Sequence, residues 1–132
     1  MTLIDSNVLL DVFTRTPIWW EWSLRQLEDA ALHGPLLIND VIYAETSIRF
    51  QSISDFDKVM AEAGVTMRAI PRTALFLAGK AFTKYRDAGG ARSGVLPDLF
   101  IGAHAQAEQL PLLTRDVRRY RSYFPTVSLI AP

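Results

Sequence analysis

The chain has 132 residues, the size of a single domain with one core at roughly 100 to 200 residues per domain. Apolar residues make up 49% and charged residues 21%, which excludes a disordered chain, and the absence of cysteine excludes disulfide scaffolds, thiolate metal sites and thiol nucleophiles. The 14 basic and 14 acidic side chains balance, which excludes a globally basic nucleic-acid binder, yet residues 1–66 carry 4 basic and 10 acidic groups while residues 67–132 carry 10 and 4.

In chain order, residues 2–5 read as a short strand that runs through a sharp turn into the apolar-periodic stretch Val8, Leu9, Val12, Phe13. Thr16 and Pro17 look like an N-cap followed by proline at the first helical position, opening a helix that Gly34 and Pro35 stop after His33. Residues 35–38 form a second strand, and Asn39 or Asp40 caps a helix running to about Phe50, with capping the reading for Asp40. Ser54 caps a further helix that ends at Gly64. A third strand at 65–70, a long helix at 72–88 closed by Gly89 and Gly90, and a flexible stretch at 91–97 follow. A helix at 98–109, a fourth strand at 110–114 and a fifth at 127–130 complete the chain. This alternation predicts a three-layer α/β domain spanning residues 1–132, with a mostly parallel central sheet of about five strands and helices on both faces. No signal peptide is readable and no apolar run approaches the roughly 18 residues of a membrane span, so the expectation is a cytoplasmic protein with no membrane contact.

Ligands of open α/β sheets gather outside the carboxyl ends of the strands, which selects Asp5, closing the first strand, and Asp116, two residues past the fourth. Each also fits a turn or cap role. Glu45 shares a helical face with Val41, Ala44 and Ile48, so a carboxylate interrupts an apolar stripe unless the true stripe is offset to Ile42. Asp98 sits at a helix start with Ile101, Gly102 and Ala105 on its face, and N-capping explains it equally well. Small Gly102 and Ala103 would let this helix approach the sheet closely. His33 and His104 lack a second histidine at ligand spacing and read as structural or surface residues. What remains is a site of carboxylate oxygens, which suits a hard cation such as Mg²⁺ or Mn²⁺.

The blocks Leu3-Ile4-Asp5-Ser6-Asn7-Val8-Leu9-Leu10, Tyr43-Ala44-Glu45, Pro97-Asp98-Leu99-Phe100-Ile101-Gly102-Ala103-His104-Ala105 and Leu112-Leu113-Thr114-Arg115-Asp116 resemble the four acidic blocks of PIN-domain ribonucleases. More narrowly they resemble VapC-type toxins of toxin–antitoxin pairs, and the ending Arg119-Tyr120-Arg121-Ser122-Tyr123-Phe124-Pro125 with Leu129-Ile130 is similar to one that many such toxins share. The resemblance implies a metal-dependent endoribonuclease acting on RNA, using Mg²⁺ or Mn²⁺. It assigns the main metal ion to Asp5 and Asp98, a completing or water-relayed role to Asp116, and orientation or deprotonation of the attacking water to Glu45. Ser6, Asn7 and Thr114 are candidates to hydrogen-bond these carboxylates, although turn formation explains Ser6 and Asn7 as readily. Asp11 maps onto no acidic block.

Arg115, Arg118, Arg119 and Arg121 cluster beside Asp116, interleaved with Tyr120 and Tyr123, and read as phosphate grips with rings for stacking on bases, or as a solvated face. Lys80, Lys84 and Arg92 would extend the strip. On the helix from Pro17, Trp20, Leu24, Leu27 and Ala31 share a face, which leaves Ile18 and Trp22 pointing away, as a partner surface or as a face covered by a neighbouring helix. The resemblance implies a VapB-type antitoxin as that partner, and a homodimer. A phosphoryl-accepting signalling domain would want an acid where the third strand ends at Ala69-Ile70-Pro71, and a carboxylate-nucleophile phosphatase would want one at Asn7. An antitoxin-independent PIN nuclease and a catalytically silent PIN scaffold remain as alternatives.

Overall fold

In the computed structural model, which describes residues 1–90 and 96–132, short Leu- and Ile-rich runs alternate with helices. In chain order they are β1 (Thr2–Ile4), α1 (Ser6–Thr14), α2 (Trp20–Leu32), β2 (Leu36–Ile38), α3 (Asp40–Ser47), α4 (Ile53–Glu62), β3 (Val65–Met67), α5 (Arg72–Asp87), α6 (Leu96–Ala107), β4 (Leu112–Leu113), α7 (Arg118–Tyr123) and β5 (Leu129–Ile130). The five strands form one sheet in the order β3-β2-β1-β4-β5, and every neighbouring pair is parallel. Right-handed crossovers put the connections from β1 to β3 on one face and those from β3 to β5 on the other. β1, β2 and β4 are buried throughout, as parallel strands covered on both faces must be, while the outer strands β3 and β5 are partly open. The expected parallel α/β architecture is therefore the observed one. Among the described residues no helix is long and apolar enough to cross a membrane.

Several element ends differ from expectation, each for a local reason. β3 stops at Met67 because its neighbour β2 turns into α3, and the Arg68 N–H makes the last ladder bond to the Ile38 carbonyl at 2.8 Å. β4 starts only at Leu112, after Gln109 at φ 54 and Pro111, which has no N–H to offer. The helix expected from Pro17 begins at Trp20: Ile18 takes a left-handed φ of 77, and the Trp19 and Trp20 N–H groups both fall on the Thr16 carbonyl. The buried face of α2 then runs through Ser23, Leu27 and Ala30, and Trp22 packs on the edge of the core instead of pointing away from it.

Asn39, not Asp40, caps α3, accepting from the Val41 and Ile42 N–H groups at 3.1 and 3.0 Å, while Asp40 accepts from the Ile70 N–H at 2.9 Å. The helix ends at Ser47, before Phe50, whose ring packs edge-on against Phe13 and Phe56. Ser52, not Ser54, caps α4 through the Asp55 N–H at 3.1 Å. α6 starts at Leu96 with Pro97 in its first turn, where a missing N–H costs nothing, so Asp98 is inside the helix and does not cap it. Arg92 lies outside the described residues. The close approach expected at Gly102 is to a different partner: a Cβ there would stand 2.3 Å from the Phe124 ring, so glycine lets α7 settle directly on α6.

Candidate active site

The chain leaves β1 toward β2 on one side and β4 toward β5 on the other, so the carboxyl ends of these two adjacent strands form the switch point of the sheet. Asp5 sits there, its N–H bonded to the Leu113 carbonyl at 2.9 Å and its side chain only 4% exposed. Three donors converge on one oxygen: Thr114 Oγ1 and the Tyr120 hydroxyl each donate to Asp5 Oδ2 at 2.8 Å, and Asn7 Nδ2 donates at 3.3 Å. No side-chain donor among the described residues reaches Oδ1. Burial pushes the Asp5 carboxyl up to about 6, with the Asp98 charge acting in the same direction and the hydrogen bonds from Tyr120, Thr114 and the Ser6 backbone opposing.

Asp98 projects from the first turn of α6 and stands at the electrostatic centre of the group. Burial raises its pKa, and Glu45 and Asp116 push the same way, against the Arg119 guanidinium, which donates to Asp98 Oδ2 at 3.3 Å. Glu45, on α3, accepts from Ser6 Oγ at 2.6 Å. Asp116 is exposed on the turn before α7, where its backbone N–H reaches Thr114 Oγ1 at 3.1 Å and its Oδ1 accepts from the Arg118 N–H at 3.4 Å. The four sequence-predicted acids are thus linked by charge through Asp98, which acts on Asp5 and is acted on by Glu45 and Asp116. Asp5 and Glu45 come from the acidic half of the chain, and Asp98 and Asp116 from the basic half.

A second network fixes the helices that carry Glu45 and Asp98. The Asn39 cap of α3 also donates Nδ2 to Nδ1 of fully buried His104 at 3.1 Å, and His104 Nε2 donates to Glu108 Oε1 at 3.0 Å, with Arg68 closing on Glu108. His104 is structural, as its lack of a ligand partner suggested. Although burial raises it, the Arg68 and His104 hydrogen bonds hold the Glu108 carboxyl below its ordinary value.

The arginine cluster divides. Arg115 is engaged within the fold: its Nε and Nη2 donate to Asp11 Oδ2 and Oδ1 at 2.8 and 3.1 Å, and its guanidinium lies 5.5 Å from the Trp19 ring. Asp11, unassigned from sequence, is the buried partner in that pair. Arg119 holds Asp98, while Arg118 and Arg121 are exposed. Tyr120, expected to stack on bases, is 2% exposed and bonded to Asp5; burial and the charges of Asp5 and Asp98 push its phenol up, so it remains a donor. Its i, i+4 spacing from buried Phe124 was the available signal for a buried face. Tyr123 packs edge-on against Tyr85.

Among the described residues no three acidic, histidine or cysteine side chains form a closed group able to enclose a metal ion. The donor set nevertheless fits Mg²⁺ or Mn²⁺ in kind, since it consists of carboxylate oxygens, leaves Asp5 Oδ1 without a side-chain donor, and has both His104 ring nitrogens engaged elsewhere. Mg²⁺ typically takes one or two carboxylates, substrate phosphates and waters in preference to an all-protein cage.

Residues 2–124 match the family model of the PIN domain, and the chain belongs to that family. The fold is shared with VapBC2 from Rickettsia felis bound to a DNA fragment from their promoter, at TM-score 0.74 and 18% identity over 99% of this chain and 98% of that one. VapBC-1 from nontypeable Haemophilus influenzae aligns at TM-score 0.72 and 14% identity, over 98% and 96% of the two chains. A toxin-antitoxin complex from Klebsiella pneumoniae aligns at TM-score 0.58 and 21% identity, over 96% and 95%. At these identities the likeness is one of fold. No curated protein matches the chain in sequence.

Proposed function

We propose that the chain is a metal-dependent endoribonuclease, the toxin of a VapBC-type toxin–antitoxin pair, working in the cytoplasm. The observation that carries the nuclease reading is Asp5, a buried carboxylate at the switch point with three donors on one oxygen, no side-chain donor among the described residues on the other, and Asp98 acting on it. The toxin reading is supported by PIN membership together with the toxin–antitoxin assemblies whose fold it shares.

In this reading Asp5 and Asp98 would hold the divalent cation, and Asp116 would complete its surroundings or relay to them. When bound, such a cation neutralises charge developing on the phosphate and acidifies a coordinated water. Glu45, steadied by Ser6, orients the attacking water and takes its proton. Asn7 and Thr114 hold the Asp5 carboxylate, and exposed Arg118 and Arg121 grip the RNA phosphates. Arg119, beside Asp98, stands where it can meet the same strand. Ile18, 90% exposed, and the Trp22 edge are proposed as antitoxin contacts, and the toxin as a homodimer.

The test is cleavage of total cellular RNA by purified protein with Mg²⁺ or Mn²⁺, against chelator and against Asp5→Asn. Discrete fragments that need both metal and Asp5 support the proposal. Metal binding without cleavage would point to a silent scaffold, and cleavage in a host that encodes no small adjoining partner would point to a PIN nuclease of RNA processing.

A further inference from the structure

We infer that the Tyr120 hydroxyl is a positioning group that decides which oxygen of Asp5 faces a divalent cation, an inference that rests on the metal-dependent reading above. A carboxylate oxygen has about two lone-pair directions. Thr114, Tyr120 and Asn7 fill those of Oδ2 at 2.8, 2.8 and 3.3 Å, so a cation reaches Oδ2 only by displacing a donor, and Oδ1 is the oxygen without a side-chain donor among the described residues.

The three donors are not equivalent. Thr114 Oγ1 is shared with Asn7 and with the Asp116 backbone, and Asn7 also accepts from the Arg115 N–H through its Oδ1. The Tyr120 hydroxyl has Asp5 as its one hydrogen-bond partner among the described residues, inside a core that leaves the residue 2% exposed. A phenylalanine ring would fill the same core volume, so the hydroxyl adds nothing to packing and would be costly to bury unpaired. Its placement depends on α7, which Phe124 seats against Gly102 of α6, and Arg119 on the same short helix reaches Asp98. One helix therefore sets the orientation of both carboxylates assigned to the cation.

The experiment is calorimetric titration of Mn²⁺ into wild type, Tyr120→Phe and, as control, Tyr43→Phe, whose hydroxyl donates to Asp57 at 2.8 Å on another surface. Loss of a group that orients a metal ligand weakens binding about tenfold or more. Tyr120→Phe is expected to raise the Kd for Mn²⁺ by about that factor, with Tyr43→Phe within about twofold of wild type. The Mn²⁺ concentration giving half-maximal RNA cleavage should move with the Kd, while the rate at saturating Mn²⁺ falls much less; a merely structural lesion would lower the maximal rate and leave the midpoint in place. An unchanged Kd in folded Tyr120→Phe overturns the inference while leaving the nuclease reading intact, whereas wild type that binds no Mn²⁺ overturns both. Should Tyr120→Phe fail to fold, Thr114→Val removes another donor to Oδ2 and carries the same expectation; an unchanged Kd there overturns the pinning of Oδ2.

Discussion

Asp5 and Asp11 flank the same short segment and are buried almost equally, at 4% and 1% exposed, yet they meet burial in opposite ways. Asp11 is closed: Arg115 grips both its oxygens, Ser23 Oγ donates to Oδ2 at 2.8 Å, and Trp19 covers the guanidinium. Its charge is neutralised where it stands. Among the described residues Asp5 receives neutral donors whose side-chain bonds fall on one oxygen, and the side-chain charge acting on it is the like charge of Asp98. A buried carboxylate without a counter-charge is a standing cost to the fold. Of two acids that look alike in sequence, one is closed by an ion pair and the other is the one we propose is held for a cation.

The two acids should therefore fail differently when changed. On the open side, Asp98→Asn is expected to lower RNA cleavage by roughly 10²–10³ or more, because it weakens the hold on the cation that would stabilise developing charge, read from fragment release in Mg²⁺. Undiminished cleavage would remove Asp98 from the site. On the closed side, Asp11→Asn leaves Arg115 without its partner and should cost about 3 kcal/mol in urea unfolding, the low end for a broken buried pair because Arg115 is 30% exposed.

A third effect follows from protons. Asp5 keeps its proton up to about 6 in the folded chain, against 3.8 ordinarily, so the metal-free fold binds that proton more tightly than the unfolded chain does. The stability this group contributes is present in full below about pH 4 and lost as the pH climbs through 6, a change of about 3 kcal/mol. Asp98, also raised, adds the same sign. Urea titrations in chelator at pH 5 and 7.5 should show about half of this decline, roughly 1.4 kcal/mol, in wild type and a shallower one in Asp5→Asn; identical slopes would contradict it. The smallest effect is Gly102→Ala, where overpacking against Phe124 costs about 1–3 kcal/mol and better helix propensity returns about 1, so the melting temperature should fall by a few degrees.

Much of the closed and open architecture is legible in the sequence, and the reasons are physical. Apolar runs ending in Asp5 and in Thr114-Arg115-Asp116 mark strand ends because only parallel strands buried on both faces use such runs. Asn39 is readable as a cap, whereas the stripe that Glu45 interrupts in sequence is not the buried face of α3, which is offset to Ile42 and Thr46 and leaves Ala44 and Ile48 exposed. What escapes is set by distant contacts. Arg115 looks like a phosphate grip beside Asp116 until Asp11, a hundred residues earlier in the chain, claims it. Tyr120 looks like a stacking ring until the seat of Phe124 on Gly102 turns it inward. Ser54 reads as the cap of α4, but the Asp55 N–H goes to Ser52 Oγ two residues earlier. Thr16 and Pro17 read as a helix start, but the left-handed turn at Ile18 has no glycine to announce it.

The most direct test compares melting temperatures of wild type, Asp5→Asn and Asp11→Asn at pH 7.5, first in chelator and then with Mn²⁺. Asp5→Asn is expected to melt above wild type in chelator and to gain little from Mn²⁺, whereas Asp11→Asn should melt below wild type and still gain. An Asp5→Asn protein that melts lower than wild type in chelator and is stabilised by Mn²⁺ as strongly as wild type would contradict the assignment of Asp5 as the carboxylate kept for a cation.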